Sequence, residues 1–407
     1  MAPTKVQELA DFVVTRKWQD LSESSQKALK IRTLDALGCA LGALGGPPIS
    51  AIDRVFAELD AGKKTNRAVT LIGSSGNKSS PDRATLHNGA LVRYLDFNDS
   101  FLAKGETCHP SDNVAPVLSC AEYSDVSGQE FLLALGIAYQ VQCRLSEVAP
   151  VRNKGFDHVT QGAYAVAAGA SRALQLDTEK TANAISISGT ALNALRVTRT
   201  GKLSNWKGLA YPFMASCAVT AVFLSREGIT GPLEVFEGNK GFMDSISGPF
   251  DVDWRSEKLD LVEKTILKKY NAEIHSQSAI ECILKLRAEG LAPEDVESIE
   301  VKIFDVAFNI IGGGEEGEKK SVSTKEEADH SLPYILAVAL LDGMVGPKQY
   351  SQERILAEDV QTLLQKITVR PDPEFSAQFP GAVPCEITVR SKAGGILRKS
   401  TTDYEGF

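Results

Sequence analysis

No CxxC pair occurs anywhere in this chain of 407 residues. Its seven cysteines, Cys39, Cys108, Cys120, Cys143, Cys217, Cys282 and Cys385, are scattered and odd in number. That pattern offers ligands neither to a zinc ribbon nor to a cysteine-held iron–sulfur cluster. Buried, reduced thiols in a cytoplasmic protein are the expectation, and the sequons at Asn77 and Asn98 are then coincidental. No metal or organic cofactor is expected. An apolar run of the ~20 residues that a membrane helix needs is not expected either. The opening stretch MAPTKVQELADFVV is polar and amphipathic, without the apolar centre of a signal peptide. Positive charge is also short: the net charge is −8 and the pI near 5.4, which argues against a nucleic-acid surface. Internal repeats are missing.

What is present is an ordinary globular composition, 43% hydrophobic and 24% charged, in a chain long enough for two domains. The first part, residues 1–265, reads as helices. Residues 25–44 form one candidate, stopped by Gly45-Gly46-Pro47-Pro48; residues 130–146 form another. Residues 161–174 and 178–194 are rich in Ala and Gly. An interior Gly costs a helix roughly 1 kcal/mol relative to Ala, so close helix packing has to compensate. After residue 265 the texture changes. Ile299, Val301 and Ile303 alternate with polar neighbours, residues 367–370, 383–391 and 395–401 read as extended, and Ala393-Gly394-Gly395 supplies a hairpin turn. Helices are expected at 276–289 and 331–345. The predicted fold is a mainly α helical domain, 1–265, with a smaller α+β domain, 266–407.

Chemistry concentrates in a few places. The segment YLDFNDSFLAKGETCHP at 94–110 holds Asp96, Asp99, Lys104, Glu106 and His109 just beyond a helix with good start signals: Ser80 as N-cap, Pro81 first, Asp82 in the first turn. Asp96 and Asp99 fall where a carboxylate opposes the helix dipole, and such a cost marks a functional candidate. RNKGFDH at 152–158 brings Arg152, Lys154 and the Asp157-His158 pair. RVTRTGKLSNWK at 196–207 carries Arg196, Arg199, Lys202 and Lys207 with no acidic residue, a pattern that fits an anionic ligand or a solvated basic loop. Downstream stand Lys268, His275, His330 and Tyr334, the last two four apart and able to share a helix face. GxGxxG at Gly312, Gly314 and Gly317 lies in GGGEEGEKK, where Glu315 and Glu316 would repel a pyrophosphate; a mobile loop is expected. Cys108-His109 is a poor nucleophile–base pair, because adjacent side chains seldom converge.

Five ordered segments carry a resemblance: YLDFNDSFLAKGETCHPSDNVAPVL, KGFDHVTQGAYAVAAGASRAL, RVTRTGKLSNWKGLAYP, KKYNAEIHSQSAIE and EADHSLPYILAVALLDG. Together they resemble the MmgE/PrpD family, most closely its prokaryotic 2-methylcitrate dehydratase branch. The resemblance implies a large helical domain carrying most of the site, a smaller α+β lid, a homodimer, and an enzyme without metal or cofactor acting on tricarboxylates. It implies site roles for Asp96, Ser100, His109, His158, Lys207, Lys268 and Tyr334. Ser100 stands where decarboxylase-type members carry Thr, and Asp157-His158 is similar to the dehydratase branch. Family chains continue past DYEGF at 403–407 with a segment returning to the helical domain, which this sequence does not show.

The expected reaction is loss of water from 2-methylcitrate or a citrate-like tricarboxylate. Arg199, Lys202, Lys207, Lys268, His275 and Arg152 are candidates to hold its carboxylates. Proton removal beside a carboxylate builds enolate-like charge, so fixed cations are needed nearby. One group must take the proton and another must protonate the departing hydroxyl. His158 is the candidate base and His109 with Asp96 the candidate acid; on sequence the two are exchangeable. Decarboxylation of cis-aconitate and epimerisation of iminodisuccinate are rival reactions on the same scaffold. A non-catalytic assembly protein is the rival that leaves the clustered Lys, His and Asp unused.

Overall fold

The computed structural model describes residues 3–59, 68–74 and 76–407. Two compact units emerge: Met1–Thr198 with Gly208–Thr265, and Arg199–Lys207 with Ile266–Phe407. The short segment 199–207, embedded in the helical half of the sequence, thus groups with the second unit.

The first unit is built of helices. The Gly-Pro stop is real, since the helix Glu23–Gly42 ends before it, and Pro47 then opens the next helix, Pro47–Leu59. Gly128–Val148 is capped by the Ser127 hydroxyl on the Glu130 N–H at 3.2 Å, and Thr178–Ala191 by Asp177 on the Lys180 N–H at 2.8 Å. Ser80 is the N-cap of Pro81–Tyr94, but its hydroxyl turns to the Asp82 carboxylate at 2.5 Å instead of to the backbone.

The Ala/Gly-rich helix Val159–Ala173 shows why small residues are needed. A Cβ on Gly169 would stand 2.8 Å from Val117 and 2.9 Å from Ala138, on two neighbouring helices. A Cβ on Gly162 would meet the Tyr211 ring at 2.4 Å. That glycine lets Tyr211 lie against the start of this helix, beside His158.

One expectation is overturned. The helix Trp206–Arg226 is long and apolar enough to cross a membrane, with a mean hydropathy of 1.5 over its most apolar window. In sequence, Pro212 and, near the two ends, Lys207 and Arg226 interrupt its apolar run. Its residues Ala210, Tyr211, Ala215, Ala218, Val219 and Val222 belong to the hydrophobic core of the first unit.

In the second unit a four-stranded sheet runs in the order Ile367–Pro371, Val296–Ile303, Cys385–Ser391, Ile396–Thr401. The first pair is parallel and the others antiparallel. A parallel pair needs a long crossover, and the helix Leu332–Asp342 lies within it. Ile299, Val301 and Ile303 are buried as their alternation predicts. Gly394, at φ +82°, makes the hairpin turn with Ser391 and Gly395. The helix Gln277–Ala288 contacts the last two strands and turns Ile280, Ile283 and Leu286 inward, each worth roughly 1.5–3 kcal/mol when fully buried.

GGGEEGEKK is packed, contrary to the mobile loop expected. Glu316 and Lys319 are each only 6% exposed. The Gly314 and Glu316 N–H groups donate to Phe308 and Asn309 carbonyls, and Gly313 and Gly317 take φ near +101°.

Candidate active site

Arg93 organises the segment after the helix Pro81–Tyr94. Its Nη1 donates to Asp96 Oδ1 at 2.5 Å and to Asn98 Oδ1 at 3.3 Å, and its Nε lies 3.9 Å from Asp112 Oδ2. Asp96 sits at φ +54°, a left-handed conformation that Asp tolerates better than most residues. The cost of a carboxylate at a helix C-terminus is therefore offset by a buried arginine in the last turn. Asn98, one of the sequon residues, is fully buried and donates to Ser111 and Asp112 at 3.0 Å.

A short hairpin follows that the sequence reading missed. Phe101–Ala103 pairs antiparallel with Glu106–Cys108 around Lys104 and Gly105, the glycine at φ +91°. Buried Glu106 accepts the backbone N–H groups of Val151 and Arg152 at 3.1 Å, and the Arg152 Nε lies 3.8 Å from its other oxygen. Arg152 thus braces the loop that leads to His158. Cys108 faces inward with Phe101, Cys143 and Leu261, away from nucleophile chemistry.

His109 emerges from the hairpin. Its Nδ1 lies 2.8 Å from the Asp99 carbonyl and 3.1 Å from Ser100 Oγ. A carbonyl only accepts, so Nδ1 carries the proton and Nε2 is the basic nitrogen of the neutral ring. Asp99 is itself locked by the Ser111 N–H and the Tyr139 hydroxyl. Burial pushes the Asp99 carboxyl above its ordinary range, against the opposing pull of Arg32, Ser111 and Tyr139.

His158 caps the helix Val159–Ala173, with Nδ1 3.1 Å from Asp157 Oδ1. Its ring meets His109 edge-on at 5.5 Å between centroids and stacks on Tyr211 at 6.3 Å. Tyr211 donates to Asn113 at 3.0 Å, and burial, reinforced by Asp112, drives its phenol far above the ordinary value. The two predicted histidines are brought together with a third ring that sequence reasoning did not name.

The second unit holds an ionic cluster. Lys207 Nζ reaches Asp329 Oδ1 at 2.5 Å, Lys325 reaches Oδ2 at 2.7 Å, and His330 Nδ1 lies 2.9 Å from Oδ1. Burial alone would raise the Asp329 carboxyl; Lys207, Lys325 and His330 outweigh it and hold it far below the carboxylate range. Glu273 accepts the backbone N–H of His275 at 2.8 Å and its Nδ1 at 2.6 Å. His275 packs against Phe304 and Phe379. Lys268 is buried close to Glu273. Tyr334 is buried with its hydroxyl donated to the Gln349 carbonyl, and its ring lies against Tyr350 instead of sharing a face with His330.

The basic run 196–207 does not act as one patch. Arg196 turns to Asp157 at 3.5 Å, Arg199 is buried in the second unit, Lys202 is exposed, and Lys207 is on Asp329. Neither Asp329 nor Glu273 was singled out from sequence. The signal was a repeated dipeptide: Asp157-His158 and Asp329-His330 each place a carboxylate on the Nδ1 of the next histidine.

Glu273 gives a stability prediction. Burial pushes its carboxyl up, but His275, His330 and Lys268 outweigh that and bring it down to about 2 from an ordinary 4.5. A depressed folded-state value means stability that is present above pH 4.5 and lost as pH falls toward 2. Thermal melting across that window should show the wild type losing Tm more steeply than Glu273→Gln. Parallel curves for the two proteins would remove Glu273 from the acid response.

Residues 7–255 match the MmgE/PrpD N-terminal domain, and residues 270–406 match the MmgE/PrpD C-terminal domain. A 2-methylcitrate dehydratase of Salmonella typhimurium is 25% identical over 422 residues, covering 97% of this chain and 84% of its own. The mitochondrial 2-methylcitrate dehydratase of Yarrowia lipolytica is 26% identical over 425 residues, with coverages of 98% and 79%. A fungal alkylcitrate dehydratase is 27% identical over 387 residues, with coverages of 87% and 73%. With both of its domains matched in order and across nearly its whole length, the chain belongs to the MmgE/PrpD family.

Proposed function

We infer that this chain is a carbon–oxygen lyase that removes water from 2-methylcitrate or a close citrate-type homologue. The observation that carries the reading is the His158–His109 pair, each imidazole held through Nδ1 by an acceptor, so that Nε2 is the nitrogen assigned to proton transfer. His158, backed by the Asp157 carboxylate, takes the proton from the carbon beside a substrate carboxylate. The electron pair is held as enolate-like charge beside that carboxylate and then forms the alkene as the C–O bond breaks. His109, protonated on Nε2 as well as Nδ1, gives its Nε2 proton so that hydroxide leaves as water. Asp96 and Ser100 orient His109 and the substrate hydroxyl. Recognition of the substrate's carboxylates is assigned to the second unit, where Lys207, Lys268 and Lys325 outnumber Asp329 and Glu273. Arg199, Lys202 and His275 add to that positive character, and Arg152 and Tyr334 serve by holding backbone in place. Dehydratase names among bacterial, yeast and fungal relatives favour elimination over decarboxylation or epimerisation.

Residues 1–198 with 208–265 are proposed as the acid–base domain, and 199–207 with 266–407 as the recognition domain, of a cytoplasmic homodimer. An apolar stripe on the helix Glu23–Gly42 supports self-association: Leu34 is 73% and Leu41 59% exposed, with Ile31 on the same face.

The test is a panel of 2-methylcitrate, citrate, cis-aconitate and iminodisuccinate with purified protein. Absorbance of a new conjugated alkene should appear with 2-methylcitrate, without CO2 release, and should be unchanged by EDTA. The same preparation should sediment at twice the chain mass. CO2 from cis-aconitate, or solvent deuterium entering recovered substrate without net elimination, would transfer the assignment to a rival reaction.

A further inference from the structure

We propose that Arg196 is a positioning residue for the acid–base pair, fixing Asp157 so that the His158 imidazole keeps one orientation and stays uncharged as a base. This rests on the assignment of His158 as the base. The local backbone is built for that purpose. Phe156 and Leu195 form an antiparallel bridge, the Asp157 N–H donates to the Ala194 carbonyl, and the Arg196 N–H donates to the Gly155 carbonyl, both at 2.9 Å. Two loops are thereby sewn together, with Arg196 facing the carboxylate of Asp157.

That carboxylate is fully buried, with a different side chain on each of its oxygens. Oδ2 lies 3.5 Å from Arg196 Nη1, and Oδ1 lies 3.1 Å from His158 Nδ1 and 3.2 Å from the Val159 N–H. A buried carboxylate held only by imidazole would favour the imidazolium form strongly, since the charges interact in a low dielectric. A guanidinium on the opposite oxygen takes up part of that field. The other groups around His158 are His109 and Tyr211, with Asp112 close to the tyrosine hydroxyl, and the positive start of the helix Val159–Ala173. Arg196 acts on Asp157 itself.

The experiment compares kcat and KM against pH for wild type, Arg196→Met and Arg196→Lys. In the Met variant, the acidic limb of kcat/KM should move to higher pH by about half a unit or more, as Asp157 acts undivided on His158. Loss of orientation should lower kcat roughly tenfold, with KM changed much less. The Lys variant retains a shorter cation and should shift the limb by less, which keeps the test readable if the Met variant does not fold. An unmoved limb in both variants overturns the proposal, as does a rise in KM with kcat intact. His158→Asn separates the two levels. If that folded variant still turns over, the base assignment fails and this proposal with it; if it is dead while the Arg196 variants keep the wild-type limb, only this proposal fails.

Discussion

His158→Asn should lower kcat by roughly 10²-fold or more, the scale for losing a general acid–base group. Asn is close in size to part of the imidazole and can still donate toward Asp157, so the helix start it caps should persist. The assignment of base against acid is also readable. Without the base, solvent deuterium should no longer enter the substrate carbon, whereas a His109 variant should still exchange that proton while failing to expel the hydroxyl. Circular dichroism and a thermal melt establish that the protein remains folded. A folded His158→Asn with near wild-type turnover takes the residue out of the reaction, and exchange lost only in the His109 variant would swap the two roles.

Lys207→Met should damage both stability and catalysis. The lysine is buried, and its Nζ lies 2.5 Å from a carboxylate that also binds Lys325 and His330. Removing one partner of a buried pair costs about 3 kcal/mol, at the lower end here because Asp329 keeps two partners. Substrate recognition should weaken along with turnover, by roughly 10–100-fold in kcat/KM, as expected for a lost charge-assisted bond. Lys207→Arg keeps the charge in another shape and should rescue part of the loss. The double variant Lys207→Met with Asp329→Asn isolates the cause. Recovery of Tm without activity supports a role at the substrate. Recovery of both reduces Lys207 to a counterion for Asp329.

Local rules made much of the fold legible. The Gly-Pro stop after residue 44, the alternation at 299–303 and the Gly394 hairpin depend on neighbours in sequence, and each stands where expected. The hairpin around Lys104 was missed because strands of three residues, buried almost throughout, show no alternation to read. At the site, the histidines stood out because few residue types titrate near neutrality. Arg93 did not. An arginine in a last helical turn reads as surface charge until Asp96, Asn98 and Asp112 fold over it. The run 196–207 looked like one basic patch because the carboxylates that divide it, Asp157 and Asp329, belong to distant segments. GGGEEGEKK looked solvated for the same reason, since nothing local foretells the burial of Glu316 and Lys319.

The pairing of Lys207 with Asp329 also sets an order of events during synthesis. The two residues are 122 positions apart, and all of the chain between them must be translated before they meet. At about 5–20 residues per second, the ribosome adds Asp329 roughly 6–24 s after Lys207. Until Asp329 is added, Lys207 lacks the carboxylate that it meets in the folded protein, and its ammonium remains hydrated. The residues 208–265 that follow it meanwhile have their own helical partners already made. This corner of the protein therefore matures on the clock of elongation, and a pause between codons 207 and 329 prolongs the exposure of a nascent chain whose helices are otherwise ready to assemble.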